Sequence, residues 1–275
     1  MKFLCALFMF GLSFAANSGH AGSSARRPKV NRSGTANKPI SILPAQGIGM
    51  YGIRHGEGPH NVEKLIVSSR ENIVKPEWGL TERGVKQIEA SAKNTLESGV
   101  LKRGDDVVIH VSPATRTTKT GERAGDVWKA EGVNVLEVLV DDRLRERYFG
   151  SLELQTANYD LVWTHDKVNR FHEEYGVETV DATARRMMDH LLDISLRGDR
   201  SVKHFSVSHG DALQIGATAM AGIPIEMHRD FRLEHDGWQT AEILPFAINM
   251  PMELRGKPNK EIIDAMLSNT LPSRQ

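Results

Sequence analysis

An arginine and a histidine follow directly on a short apolar run near residue 50. Residues 48 to 53 predict a buried strand, and Arg54 and His55 come at its end, just before Gly56. An imidazole in this place can attack phosphorus, and the adjacent guanidinium can hold phosphate oxygens in its planar fork. The glycine lets the backbone approach a ligand closely. Alone, the pattern is also typical of a loop with one exposed histidine.

Three further side chains that can do chemistry each follow a later apolar run. They are Arg116, Glu146 and His209. Each has an ordinary structural alternative: Glu146 is flanked by arginines, which favours a surface ion pair, and His209 is also typical of a hydrogen-bonded strand end. Their joint occurrence, in this order, favours a site.

The apolar runs alternate with helix signals along the chain. Thr81 predicts the start of a helix that stops at Ser98-Gly99, and Ser112-Pro113 predicts the N-cap and first-turn proline of the next helix. This alternation predicts an α/β fold, a three-layer α/β/α sandwich with a mostly parallel central sheet. The predicted strands are residues 48–53, 107–111, 135–140, 203–208 and 239–244.

The predicted topology brings these side chains together. In parallel α/β sheets, sites form outside the carboxyl ends of the strands. The chemistry-bearing residues each follow one of four strands, so we expect them at the same edge of the sheet.

The set of motifs resembles branch 1 of the histidine phosphatase superfamily, also called phosphoglycerate mutase-like, over about residues 48 to 245. The matching motifs are Arg54-His55-Gly56-Glu57, Leu80-Thr81-Glu82-Arg83-Gly84, Ser112-Pro113-Ala114-Thr115-Arg116, residues 143–150 and Ser208-His209-Gly210. The resemblance implies that His55 accepts the phosphoryl group and that Glu146 protonates the leaving oxygen. It also implies a phosphate clamp made of Arg54, Arg116, His209 and Asn61.

The resemblance implies no cofactor and no metal, with protein cations in the place of Mg²⁺. A phosphomonoester brings about two negative charges, which two arginine forks can pair with bidentately. His165-Asp166 and His172 suggest a metal site, but no third ligand motif stands at a suitable spacing.

The reaction class follows from departures within the motifs. The glycolytic mutases carry Ser and Trp after the first motif, where this chain has Gly58-Pro59-His60-Asn61, and their Gly-Leu-Asn-Lys element is replaced by Leu152-Glu153-Leu154-Gln155. We therefore expect a phosphatase acting on a phosphorylated small molecule or phosphopeptide. Mutase-type transfer and a catalytically silent binding module of the same fold are the alternatives. Asp211 is the first alternative to Glu146 as the acid.

The N-terminal residues predict export. Met1-Lys2, an apolar run over 3–15 and small residues after it are typical of a signal peptide over residues 1–21, too short to span a bilayer; a buried N-terminal helix is the alternative. The only cysteine, Cys5, lies in this leader, so the rest of the chain has no disulfide and no cysteine ligand. We expect a secreted or periplasmic protein.

Charge separates the remaining chain into two parts. Six of the 35 basic residues and none of the 35 acidic residues precede residue 47, which leaves a net charge of −6 for the rest. Residues 22–46 predict a flexible basic linker, and residues 47–275 predict one phosphatase domain with a cap insertion at about 148–180. The acidic domain argues against nucleic acid as a partner. The oligomeric state stays open.

Overall fold

A computed structural model of the protein describes residues 49–230 and 239–269. The predicted signal peptide and basic linker lie outside these ranges. Within them, no helix is long and apolar enough to cross a membrane.

The centre of the fold is a five-stranded sheet in the order β3-β2-β4-β1-β5. The first four strands of the chain run parallel, and β5 pairs antiparallel with β1. β4 is almost wholly buried, whereas β3 is an edge strand whose apolar residues Leu136 and Val140 are exposed. The predicted mostly parallel sheet is therefore confirmed. The strands are β1 Met50–Arg54, β2 Asp106–Val111, β3 Asn134–Val140, β4 Val202–Ser208 and β5 Ile243–Pro245.

Helices cover both faces of the sheet. The helices of the described residues are α1 Pro59–Glu63, α2 Arg70–Ile73, α3 Glu82–Glu97, α4 Thr115–Ala130, α5 Asp160–Asp166, α6 Val180–Arg197, α7 Gly210–Met220 and α8 Asn259–Asn269. On one face Ile88 of α3 and Trp128 of α4 belong to one apolar core. On the other, Met187 of α6 and Leu213 of α7 belong to a second. The α/β sandwich is confirmed.

The segment between β3 and α6 is mostly irregular. It contains α5 and three single-turn 3₁₀ helices, Asp142–Leu144, Gly150–Leu152 and Glu174–Gly176. Phe149 and Val162 of this segment form a small apolar cluster of their own with Ile66. The predicted cap insertion falls on this segment.

Two local predictions differ from the structure. The helix after β2 begins at Thr115 with Ala114 as its N-cap, so the predicted cap at Ser112 is wrong. The hydroxyl of Ser112 is instead 2.8 Å from the ring of His209. The last strand is shorter than the predicted 239–244, because a turn with a positive φ at Ala241 precedes it.

The loop after β1 is held against the first turn of α3. Thr81 caps α3 as predicted, and its backbone N–H donates to the carbonyl of Glu57 at 2.9 Å. A β-carbon on Gly84 would come within 2.1 Å of the same carbonyl oxygen. On the other side, the backbone N–H of Gly56 donates to the hydroxyl of Thr120 at 3.1 Å. These contacts fix the backbone next to His55.

We expect Gly84→Ala to lower the free energy of unfolding by about 1–3 kcal/mol, the usual cost of overpacking. The added methyl group would meet backbone, which cannot turn aside as a side chain can. Gly125→Ala is the matched control, because its β-carbon would lie 3.3 Å from the movable end of Ile109. Denaturant unfolding of both variants measures the difference. Equal stability of the two variants would contradict this account of the loop.

Candidate active site

A cavity opens at the carboxyl ends of the strands. Five of the six side chains predicted for the site line it: Arg54, His55, Asn61, Arg116 and Glu146. The sixth, His209, is fully buried directly beside them, with its ring centroid 5.2 Å from that of His55. Residues far apart in sequence therefore meet at the carboxyl edge of the sheet, where the sequence predicted them.

His55 is fixed as a neutral imidazole. Its backbone N–H donates to the carbonyl of Ser208 at 3.1 Å, and its Nδ1 is 2.7 Å from the carbonyl of Gly56. Since a carbonyl can only accept, Nδ1 carries the proton and Nε2 keeps its lone pair. Burial lowers the pKa of His55 well below its ordinary value, and the Arg116 guanidinium adds to this effect. Nε2 therefore keeps a lone pair at neutral pH, which can act as a nucleophile.

Arg116 is a buried cation whose charge is not matched by a carboxylate. Its Nη2 donates to the carbonyl of Val67 at 2.9 Å. Its Nη1 is buried without a hydrogen-bonding partner among the described residues, and no ion pair forms with Arg116 there. Burial lowers its pKa to about 10, which still leaves the guanidinium charged at neutral pH. Arg54 lies on the same cavity, so two guanidinium groups face it. Such a site attracts an anion.

His209 orients Arg116. Its Nδ1 accepts from Nε of Arg116 at 3.2 Å and lies 3.0 Å from Nη2, so Nε2 carries the proton and donates to the Ser112 hydroxyl at 2.8 Å. Both ring nitrogens thus have partners within the protein. Ser112 was visible in the sequence as a serine at a strand end, but the proline directly after it favoured a helix cap.

Glu146 is a buried carboxyl group with a raised pKa. Burial and the nearby Asp211 carboxylate raise its pKa to about 7, against an opposing effect of Arg116. Its Oε1 accepts from the backbone N–H of Arg147 at 2.9 Å, and its Oε2 lies 3.9 Å from Nδ1 of His209. A group of this kind can give and take a proton near neutral pH.

The arginines around Glu146 are bound to other acids, so the alternative of a surface ion pair does not describe it. Arg143 pairs with Asp141 at 2.7 Å, and Arg145 pairs with Glu178 at 2.6 Å. The third, Arg147, is fully buried. It binds both oxygens of Asp166, at 2.7 and 2.8 Å, and lies 3.3 Å from Asp211.

The same ion pairs involve Asp166, suggested above as part of a metal site, and Asp211, the alternative to Glu146 as the acid. Asp166 binds Arg147 and accepts from Nε2 of His172 at 2.6 Å. No cluster of three or more potential metal ligands occurs among residues 49–230 and 239–269. Asp211 accepts from the indole of Trp163 at 3.1 Å besides its contact with Arg147, so it is less suited than Glu146 to deliver a proton.

The family model of the histidine phosphatase superfamily, branch 1, matches residues 50–248. The chain belongs to this superfamily. A probable phosphoglycerate mutase from Erwinia tasmaniensis is 25% identical over 200 residues, which cover 68% of this chain and 80% of that protein.

Solved structures of the superfamily share the fold. A mycobacterial glucosyl-3-phosphoglycerate phosphatase in complex with VO3 superposes with a TM-score of 0.53 at 19% identity, over 70% of this chain and 90% of that one. A phosphoserine phosphatase from Entamoeba histolytica gives a TM-score of 0.50 at 19% identity, over 74% of this chain and 98% of that one.

Tyr159 and His60 are two of the cavity residues that the sequence prediction did not include. Tyr159 lies in the irregular segment after β3, where periodicity carries no signal, and burial raises its pKa. His60 was visible as part of Gly58-Pro59-His60-Asn61, but nothing in the spacing placed its ring beside His55. Asn61 uses Oδ1 to accept from the backbone N–H of Gly58 at 3.0 Å, which leaves its amide nitrogen for the cavity.

The raised pKa of Glu146 predicts a pH-dependent gain of stability in Glu146→Gln. The folded protein binds this proton more tightly than the unfolded chain does, so the wild type loses stability as pH rises from about 4.5 to about 7. The glutamine variant avoids this loss. We expect it to be more stable than the wild type at pH 8 by up to about 3 kcal/mol, at 1.36 kcal/mol per pKa unit, and to gain nothing at pH 4.

Glu153→Gln is the matched control. Hydrogen bonds from Ser68 and Asn72 oppose the effect of burial on Glu153 and hold its pKa below the ordinary value, so its neutralisation should destabilise the fold at pH 8. Thermal unfolding across pH measures both. A Glu146→Gln difference that does not change with pH would contradict the raised pKa.

Proposed function

We propose that this chain is a phosphatase that hydrolyses phosphomonoesters through a phosphohistidine at His55. The observation that carries the proposal is the protonated Nδ1 of His55, bound to the Gly56 carbonyl, which leaves Nε2 as a nucleophile beside the guanidinium groups of Arg54 and Arg116. Membership of the superfamily supports this reaction class.

The reaction has two balanced steps. In the first, Nε2 of His55 attacks phosphorus, the bond from phosphorus to the ester oxygen breaks, and Glu146 gives its proton to that oxygen. In the second, water attacks the phosphohistidine while the Glu146 carboxylate takes a proton from it. The P–N bond breaks, which restores neutral His55 and protonated Glu146. The arginines neutralise charge on the phosphoryl oxygens throughout.

Hydrolysis is favoured over mutase-type transfer by the sequence of the site. Gly58-Pro59-His60-Asn61 follows the first motif, and Leu152-Glu153-Leu154-Gln155 stands in the predicted cap. The solved structures with this fold include phosphatases for glucosyl-3-phosphoglycerate and phosphoserine, whereas the Erwinia relative is named a probable mutase. We propose a phosphorylated small molecule or phosphopeptide as substrate. The intact set of His55, Arg116 and Glu146 argues against a silent binding module.

We further propose that the enzyme is exported and works as an acid-type phosphatase. The apolar leader over residues 1–21, the basic linker over 22–46 and the absence of cysteine after Cys5 support a secreted or periplasmic enzyme. A pKa of about 7 at Glu146 supports activity on the acidic side of neutrality, because the first step needs this residue protonated.

Replacement of His55 by alanine should abolish turnover and leave the fold intact, because no other imidazole nitrogen replaces Nε2 as the nucleophile. Rapid quenching of the wild type during turnover of a ³²P-labelled ester should trap an acid-labile phosphoenzyme, and the variant should trap none. Circular dichroism checks the fold. A folded His55→Ala protein with undiminished activity would rule out the covalent mechanism.

The substitution Glu146→Gln should affect poor leaving groups most, since an alkoxide needs a proton as the P–O bond breaks and a nitrophenolate does not. We expect a loss of about 10²–10⁴-fold on alkyl phosphates and a much smaller loss on nitrophenyl phosphate. The decline in kcat/KM of alkyl substrates above pH 7 should flatten in the variant. Equal losses on both substrates, with an unchanged pH profile, would assign Glu146 to structure and move the acid elsewhere.

A further inference from the structure

A second imidazole, that of His60, lies beside the nucleophile. His60 is in the first turn of α1 and is 5% exposed. Its ring centroid is 5.3 Å from that of His55, and it lines the same cavity as Arg54 and Arg116. The two-step reaction described above gives this residue no role.

One nitrogen of this ring has its hydrogen-bonding capacity unmet. Nδ1 of His60 is buried and has no hydrogen-bonding partner within the described residues. It is directed at Gly58: a β-carbon there would lie 2.8 Å from Nδ1 and 2.7 Å from the carbonyl of Gly79. The ring therefore occupies space that only a glycine at position 58 leaves open. Such a placement, with an unpaired buried polar atom, is costly for stability alone.

A bound anion would change the electrostatic surroundings of the His60 ring, because it would oppose the positive charge of the arginines. Burial and the charges of Arg116 and Arg54 together lower the pKa of His60 to about 2, so the ring is neutral. A neutral imidazole carries one proton. With that proton on Nε2, the buried Nδ1 carries a lone pair, and the Nε2–H group can donate a hydrogen bond. A dianionic phosphoryl group opposes the two guanidinium charges and so favours this donation.

We propose that His60 is a ligand of the phosphoryl group. Its Nε2–H donates a hydrogen bond to a phosphoryl oxygen, both when His55 attacks the phosphorus and when His55 carries the phosphoryl group. The inference rests on the proposed function and adds a side-chain donor to those of Arg54, Arg116 and Asn61. Gly58 is the residue that makes room for this ligand. The Gly-x-His spacing then places a phosphate ligand, His60, two residues after the glycine that leaves room for its ring.

Binding of inorganic phosphate tests the proposal without requiring turnover. We expect His60→Phe, which keeps a planar ring and removes both nitrogens, to weaken phosphate binding about 10–100-fold, the worth of a hydrogen bond to a charged group. His60→Gln, whose amide nitrogen can reach the place of Nε2, should stay within about threefold of the wild type. Val62→Ala, on the exposed side of α1, is the control and should bind as the wild type does. Calorimetry measures all four proteins.

A second measurement covers the case in which His60→Phe does not fold. In ¹⁵N-histidine-labelled wild type, saturation with phosphate should shift the ring nitrogens of His60, assigned by their absence in His60→Gln. Unchanged ring signals, or a folded His60→Phe protein with wild-type phosphate affinity, would overturn the role of His60. If the wild type hydrolyses esters in either case, the proposed function stands and only this ligand is lost. A wild type that neither binds phosphate nor hydrolyses esters overturns both.

Discussion

The buried guanidinium of Arg116 is the constraint on which the rest of the site depends. A charge taken out of water costs several kcal/mol. Among the described residues the hydrogen bonds of Arg116 go to carbonyl and imidazole acceptors, and the Glu146 carboxyl favours its charge through space without forming an ion pair. Burial and this positive charge lower the pKa of His55, His60 and His209, so three clustered imidazoles stay neutral. The site therefore holds its positive charge on arginines, which cannot give it up, and each neutral imidazole keeps one N–H and one lone pair. A bound anion would balance the positive charge that the arginines place in the cavity.

The carboxylates around the site are distributed so that one of them remains unpaired. Glu146 follows an arginine and precedes another, yet the neighbouring guanidinium groups are bound to other acids. Arg147 joins Asp166 of α5 to Asp211 of α7, so one buried cation ties the irregular segment after β3 to a helix that covers the sheet. Removing either partner of the Arg147–Asp166 pair would leave a buried charge, a loss of about 3–5 kcal/mol. The ion pairs thus stabilise the fold and at the same time keep the proton of Glu146 available.

The positions of the strands along the chain and the residues at their ends were predictable, because apolar periodicity and the residues that follow it are local signals. The sequence did not predict features that depend on distant partners. Ser112 bonds to His209, which is 97 residues away, and a serine before a proline locally favours a cap instead. Whether Glu146 forms an ion pair with a neighbouring arginine depends on which other acids the folded chain brings next to those arginines. The apolar run of β3 predicted a strand correctly, but Leu136 and Val140 are exposed because that strand is at the sheet edge. Sequence patterns do not show which strand ends a sheet.

The contact between Gly58 and the ring of His60 has a consequence for how this protein can evolve. A β-carbon at position 58 would lie 2.8 Å from the imidazole of His60 and 2.7 Å from the carbonyl of Gly79, so its neighbours would have to shift. The ring could move only by leaving its present place beside His55, and a backbone carbonyl cannot turn aside as a side chain can. The two positions are therefore epistatic: a side chain at position 58 and the present placement of His60 do not coexist. Loss of the histidine would not free position 58, because the contact with the Gly79 carbonyl would remain.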